Sequence, residues 1–188
     1  MEQFTCGDFG ANLQAFEDKI YSQNGEDGVL MKIMQMVGVK TSTFVEFGVE
    51  DGQECNTRIL HERFGMTGLL MDGGNENESI NLKQEFITVD NVVTLFEKYG
   101  VTQEFDVLSL DVDMFDLWIL QKILGKYRPR VMVVETNPTL ALADGIFTQS
   151  DFSGANALPL TVVHPSMTNQ TVWDLTRYSG ANPAAFRA

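Results

Sequence analysis

Basic residues are scarce in this chain: 13 Lys and Arg stand against 26 Asp and Glu, a formal net charge of −13 over 188 residues. An acidic surface repels phosphate backbones and anionic lipid, which argues against nucleic-acid and membrane partners. Only a local basic patch would override this, and the densest one, Lys126, Arg128 and Arg130, is small. No stretch approaches the ~20 apolar residues of a membrane helix. Residues 1–14 include acidic side chains and no apolar segment, so they do not read as a secretory signal. Two cysteines, Cys6 and Cys55, are too few for a disulfide framework or a zinc cluster. Two histidines, His61 and His164, supply a metal site poorly. Without a secretory signal, the sequons Asn77-Glu78-Ser79 and Asn169-Gln170-Thr171 read as chance. The expectation is one soluble, cytoplasmic domain over residues 1–188, with residues 1–20 as an N-terminal extension.

What is present is strand–helix alternation. Asn24 is a helix N-cap by type, Val29, Leu30, Ile33, Met34 and Val37 follow at helical spacing, and Gly38 closes the helix. Thr43 to Phe47 reads as a strand, Cys55 to Phe64 as a helix, and Leu69 to Met71 as a second strand. A short strand near Phe86 to Val89 leads to a helix over Val92 to Tyr99. Val107 to Leu110 is a nearly continuous apolar run and Val131 to Val134 a second one, as strands covered on both faces should be, with a helix marked by Leu117, Leu120, Ile123 and Leu124 between them. The pattern predicts a parallel sheet with right-handed crossovers and helices on both faces. Residues 139–172 read as a long loop and substrate region, since Asp144 to Pro159 is rich in Gly, Ser, Asn and Asp.

Ligands of such sheets bind at the carboxyl ends of the strands. Carboxylates lie there: Glu46, Asp72, Asp90, Asp111 and Glu135. The bland alternative is that strands end where polar loops begin. Glu46-Phe47-Gly48-Val49-Glu50-Asp51-Gly52 puts glycines where backbone must approach a ligand and where the chain turns tightly. The dinucleotide pattern G-x-G-x-x-G is absent, because Glu50 holds its middle position. A carboxylate there repels a pyrophosphate, so a nucleoside without phosphate is favoured. S-adenosylmethionine fits, its ammonium and sulfonium suiting an acidic pocket.

A set of stretches carries a family resemblance. They are Tyr21-Ser22-Gln23-Asn24-Gly25-Glu26-Asp27-Gly28, Phe44 to Gly52 with Glu54-Cys55-Asn56-Thr57, and Gly68-Leu69-Leu70-Met71-Asp72-Gly73. Phe86 to Val92, Leu108 to Asp113, Val133 to Pro138 and Trp173 to Ala181 follow in order. The chain resembles the FkbM-like branch of the class I S-adenosylmethionine-dependent methyltransferases, which implies a Rossmann-like, doubly wound α/β fold. By that resemblance Glu46, Gly48 and Gly52 form the first cofactor loop, and Asp72 holds the ribose hydroxyls. Asp90 and Asn91 lie beside adenine, and Gln23, Glu26 and Asp27 cap the site. Asp111 lies near the transferable methyl, with Asp111 and Glu135 the favoured bases and Asn137 close to Glu135. The acceptor expected is an oxygen on a small-molecule or sugar-like substrate.

Other residues draw structural readings. His164 reads as an exposed loop histidine, Cys55 as packing, and the methionines as core filler. Asp111, Asp113 and Asp116 have the ligand type for Mg²⁺ or Ca²⁺, but a cofactor carboxylate with a helix N-cap at Asp116 is preferred, and no metal is expected. The resemblance implies a seven-stranded sheet whose last two strands form a hairpin after Tyr178-Ser179-Gly180-Ala181, whereas five strands are read here before the long loop and the sequence ends at Ala188. The expectation is therefore a C-terminally truncated member whose fifth strand has a bare apolar edge, a site for a homodimer. Ser179 stands where the family carries an aromatic residue. Two alternatives remain: a non-catalytic binding domain of this fold, and an NAD- or nucleotide-binding Rossmann domain.

Overall fold

The structure is a computed structural model that describes residues 13–112, 115–134, 161–163 and 173–174. Its elements are α1 (Glu26–Val37), β1 (Thr43–Phe47), α2 (Arg58–Phe64), β2 (Thr67–Asp72), β3 (Leu82–Gln84), α3 (Val92–Lys98), β4 (Glu104–Leu110), α4 (Asp116–Leu124), β5 (Arg128–Val134), β6 (Thr161–Val163) and β7 (Trp173–Asp174). Short 3-10 turns occupy Leu13–Phe16 and Glu78–Ile80. The seven strands form one sheet in the order β3-β2-β1-β4-β5-β6-β7. All neighbours are parallel except β6 and β7. This is the expected α/β, Rossmann-like, doubly wound architecture.

Both faces of the sheet are buried, which explains the nearly continuous apolar runs. Alternate residues of one strand serve opposite layers. Phe44, Leu70, Val107 and Val131 pack with Leu30, Ile33 and Met34 of α1 and Ile59 and Leu60 of α2. Val45, Phe47, Met71 and Leu108 pack with Leu95 and Phe96 of α3 and Ile119 and Ile123 of α4. Strand order reverses at β1, between β2 and β4, which is the switch point where ligands of open α/β sheets bind. Among the described residues no helix is long and apolar enough to cross a membrane.

Several boundaries differ from expectation. The cap of α1 is Gly25, in a left-handed conformation at φ 115°, not Asn24. Asn24 is taken up elsewhere, its backbone and side-chain amides both donating to the Glu26 carboxylate. Helix α2 starts at Arg58 rather than Cys55, because Asn56 and Thr57 are held by Glu46. Phe86 to Val89 is not a strand: Asn91 Oδ1 accepts from Thr88 N–H at 2.7 Å and Asn91 Nδ2 donates to the Phe86 carbonyl at 2.8 Å. Such local side-chain bonds compete with sheet pairing. The third strand is Leu82–Gln84 instead. Asp116 is the first residue of α4 rather than its cap, and its Oδ1 accepts from Val112 N–H at 3.0 Å.

The largest correction concerns the end of the sheet. The expected bare edge on β5 is occupied: Val131, Met132 and Val133 pair in parallel with Thr161, Val162 and Val163. Thr161 and Val162 in turn pair antiparallel with Asp174 and Trp173. The edge expected to be bare is therefore covered, so the homodimer contact expected there has no open strand on β5; the hairpin that the resemblance places after Ala181 is a different pair. Unpaired backbone groups along an apolar strand demand partners, and three consecutive β-branched residues supply them.

Candidate functional site

Glu46, buried near the carboxyl end of β1, is the anchor of the Gly-rich loop. Its Oε1 accepts from Asn56 N–H at 2.9 Å and from Ser109 Oγ at 3.0 Å. Its Oε2 accepts from both the N–H and the hydroxyl of Thr57. Asn56 Nδ2 donates to Ser109 Oγ, so β1, β4 and the start of α2 are tied through one carboxylate. Burial pushes the Glu46 carboxyl above its ordinary range, and the donors from Thr57, Asn56 and Ser109 offset this only in part. Burial, with the Glu46 charge next, pushes the neighbouring Cys55 thiol upward. Cys55 is buried and stays a thiol at neutral pH, consistent with its reading as packing.

The loop that follows is closed on itself. Gly48 has φ 71°, and a Cβ built there would overlap the Asp111 carbonyl oxygen. The glycine expected under a cofactor thus serves first to seat the loop of β1 against the end of β4. Gly48 N–H donates to the Met71 carbonyl at 3.1 Å, and Gly52 N–H to the Val49 carbonyl at 2.8 Å. Glu50, a non-glycine residue at φ 47°, donates its N–H to Asp72 Oδ2 at 3.0 Å. Three amides of the kind that could cradle a phosphate are therefore occupied.

Asp72, at the end of β2, is the hub. Its Oδ1 accepts from Gly74 N–H, Asn75 N–H and Asn75 Nδ2 at 2.8–3.0 Å. Desolvation works to raise its pKa, but the donors from Gly74, Asn75 and Glu50 outweigh it and hold the carboxyl below its ordinary range. Oδ1 carries three donors and Oδ2 one, so Oδ2 keeps capacity for a ligand hydroxyl.

The remaining expected residues fall into three groups. The Ser-Gln-Asn-Gly-Glu-Asp motif folds around Asp27, whose Oδ2 accepts from the N–H groups of Ile20, Tyr21 and Ser22 and from Ser22 Oγ at 2.7–2.9 Å. Asp27 Oδ1 is buried without a partner among the described residues. Glu26 is buried on Asn24, and Gln23 is exposed. Arg58 over the Tyr21 ring, at 4.4 Å, and the Lys19–Glu54 ion pair, at 3.7 Å, bring this motif against the Gly-rich loop. Asp90 is exposed beside Asn91, which locks the loop before α3. Asp111 is exposed at the end of β4. Glu135, Asp113, Asn137, His164 and Ser179 lie outside the described residues.

Structure thus gathers Gly48, Glu50, Asp72 and Asp111 on the carboxyl ends of β1, β2 and β4. Sequence reading missed the clasps by Asp27 and Ser109, whose partners lie 5 to 7 and 63 residues away. It also missed a cavity of about 570 Å³ between α2, β2 and the 3-10 turn. Of the expected site residues only Gly52 lines it. No protein-family model, curated protein or solved structure matches the chain in the comparisons made.

Proposed function

We propose that this protein binds S-adenosylmethionine across the carboxyl ends of β1, β2 and β4 and methylates an oxygen of a small-molecule or sugar-like acceptor, in the manner of the FkbM-like methyltransferases it resembles. The observation that carries this reading is the state of the loop amides. Gly48, Glu50 and Gly52 all donate within the protein, and Glu50 and Asp51 add negative charge. Such a loop disfavours a diphosphate and suits a phosphate-free nucleoside with a cationic tail, which speaks against an NAD-binding domain.

Asp72 would take the ribose hydroxyls on Oδ2, its low pKa keeping it an acceptor at neutral pH. Glu46 would act at one remove, fixing the loop rather than touching ligand. Bound cofactor supplies a sulfonium methyl for in-line displacement, so the protein's task is alignment and removal of the acceptor proton. Asp111, exposed at the adjacent strand end, would receive that proton, with Glu135 in the equivalent place after β5. Cytoplasmic location is part of the same proposal.

Thermal unfolding with S-adenosylmethionine, S-adenosylhomocysteine and NAD tests the reading. A true ligand raises stability by RT ln(1 + [L]/Kd), about 2.7 kcal/mol at a hundredfold excess over Kd. The first two should raise Tm and NAD should not. Absence of a shift with both sulfur compounds overturns the proposal, and so does an equal shift with NAD.

A further inference from the structure

We propose that the cavity behind the Gly-rich loop is a second ligand site, built for a small organic amine with an apolar body. It does not rest on the cofactor assignment. Its origin lies in the topology. Parallel neighbours are usually joined by a crossover of a dozen or more residues containing a helix. Here β2 and β3 are joined by the nine residues from Gly73 to Asn81, with only the 3-10 turn Glu78–Ile80 in the helix's place. On that face the sheet therefore carries a groove bounded by α2 on one side and a thin turn on the other. Phe44, Leu70 and Ile80 make an apolar floor between them. At about 570 Å³ the space falls within the ~300–1,000 Å³ of small-molecule sites.

Charge selects the ligand. Arg58, His61 and Glu62 share one face of α2, at the i, i+3 and i+4 positions, and line the cavity. Glu78 lines the opposite wall and Asp51 the end nearest the Gly-rich loop. Three carboxylates, Asp51, Glu62 and Glu78, thus meet one guanidinium, a surplus of two negative charges. That guanidinium is already engaged: it donates to the Gln53 carbonyl at 2.8 Å, lies over Tyr21, and has Nε 3.9 Å from Glu62. An anion would meet net repulsion, whereas an ammonium would meet attraction at the rim while its apolar body covered the floor.

The thin wall is preformed. Asn77 Oδ1 accepts from Ser79 N–H at 3.1 Å and Ser79 Oγ at 2.7 Å, and Asn81 Nδ2 donates to the Gly68 carbonyl at 2.7 Å. A site that needs no ordering on binding keeps more of its interaction energy as affinity.

The test is a ¹⁵N NMR titration of the full chain with tryptamine and, separately, with indole-3-propionate, which carries the same ring and the opposite charge. Tryptamine should give saturable shifts at the amides of Glu62, Glu78 and Ser79, and the acid should bind at least about tenfold more weakly. A Glu62→Gln, Glu78→Gln double variant should weaken tryptamine about tenfold, as two rim ion pairs at the upper end of their usual strength allow. Thr67→Trp, placed at the mouth, should abolish binding; this second variant serves if the first fails to fold. Equal affinity for the two indoles overturns the proposal, as do shifts centred on Asp72 and Asp111 or no saturable shift.

Discussion

Thr57 gives both its backbone N–H and its hydroxyl to a single oxygen of Glu46, eleven residues earlier in the chain. A carboxylate that looks from the sequence like a ligand-binding group is thereby a fastener between a strand and the start of a helix. Carboxylates that gather amides of their own chain recur at Asp27, Asp72 and Asp106.

Replacing Glu46 with Gln removes the titration of this carboxyl while keeping its size. Burial raises the folded-state pKa above the ordinary 4.5, so the folded protein holds this proton more tightly than the unfolded chain. Its contribution to stability is fully present below 4.5 and is lost as pH rises through the folded value. The stability of the wild type relative to Glu46→Gln should therefore fall as pH rises from 4.5 towards neutrality, measured by urea denaturation across that range. A constant difference would show that Glu46 titrates normally.

Asp106 should behave in the opposite sense. Its buried carboxylate accepts from Arg130 and from the N–H groups of Lys40, Thr41 and Ser42. Desolvation works against the charge, but these donors outweigh it and hold the pKa below the ordinary 3.8. This contribution is present above 3.8 and is lost as pH falls through the folded value. Acid unfolding of Asp106→Asn should thus converge on that of the wild type below about pH 3.8, with a clear deficit at pH 6.

Gly48→Ala places a side chain at φ 71° and against the Asp111 carbonyl. A left-handed non-glycine residue costs about 1–2 kcal/mol, and displacing the β4 end adds to it. We expect a total loss of roughly 2–4 kcal/mol in chemical denaturation together with loss of any S-adenosylmethionine-dependent Tm shift. A variant as stable as the wild type would show that the two loops are not in contact.

Asp27→Ala leaves the amides of Ile20, Tyr21 and Ser22 without their acceptor. Each buried unsatisfied donor costs about 1–3 kcal/mol, and partial hydration of the outer two brings the expected loss to roughly 2–4 kcal/mol. Faster hydrogen exchange at residues 20–22, with β4 and β5 unchanged, should accompany it.

What the sequence made legible follows from burial. Val107–Leu110 and Val131–Val134 are covered on both faces, so their character is written as apolar runs, interrupted only by Ser109. The third strand escaped because only Leu82 of its three residues is buried. Thr161–Val163 escaped because it is three residues long and follows the Gly-, Ser-, Asn- and Asp-rich stretch Asp144–Pro159. For the candidate site, position was readable and direction was not. Strand ends placed Glu46, Asp72 and Asp111 together, but nothing in residue type tells whether a carboxylate faces ligand or accepts amides from its own loop. Asp72 does the second with room left for the first, whereas Glu46 does only the second.

The Asp106 clasp also bears on the order in which the chain assembles. The turn at Lys40–Ser42 is held by a carboxylate 64 to 66 residues further along. Its three amides have that acceptor only after β4 has docked beside β1, so the turn between α1 and β1 becomes fixed late, although it is local in sequence. In native-state exchange these surface-turn amides should open with the β1–β4 pairing rather than with the helix that precedes them.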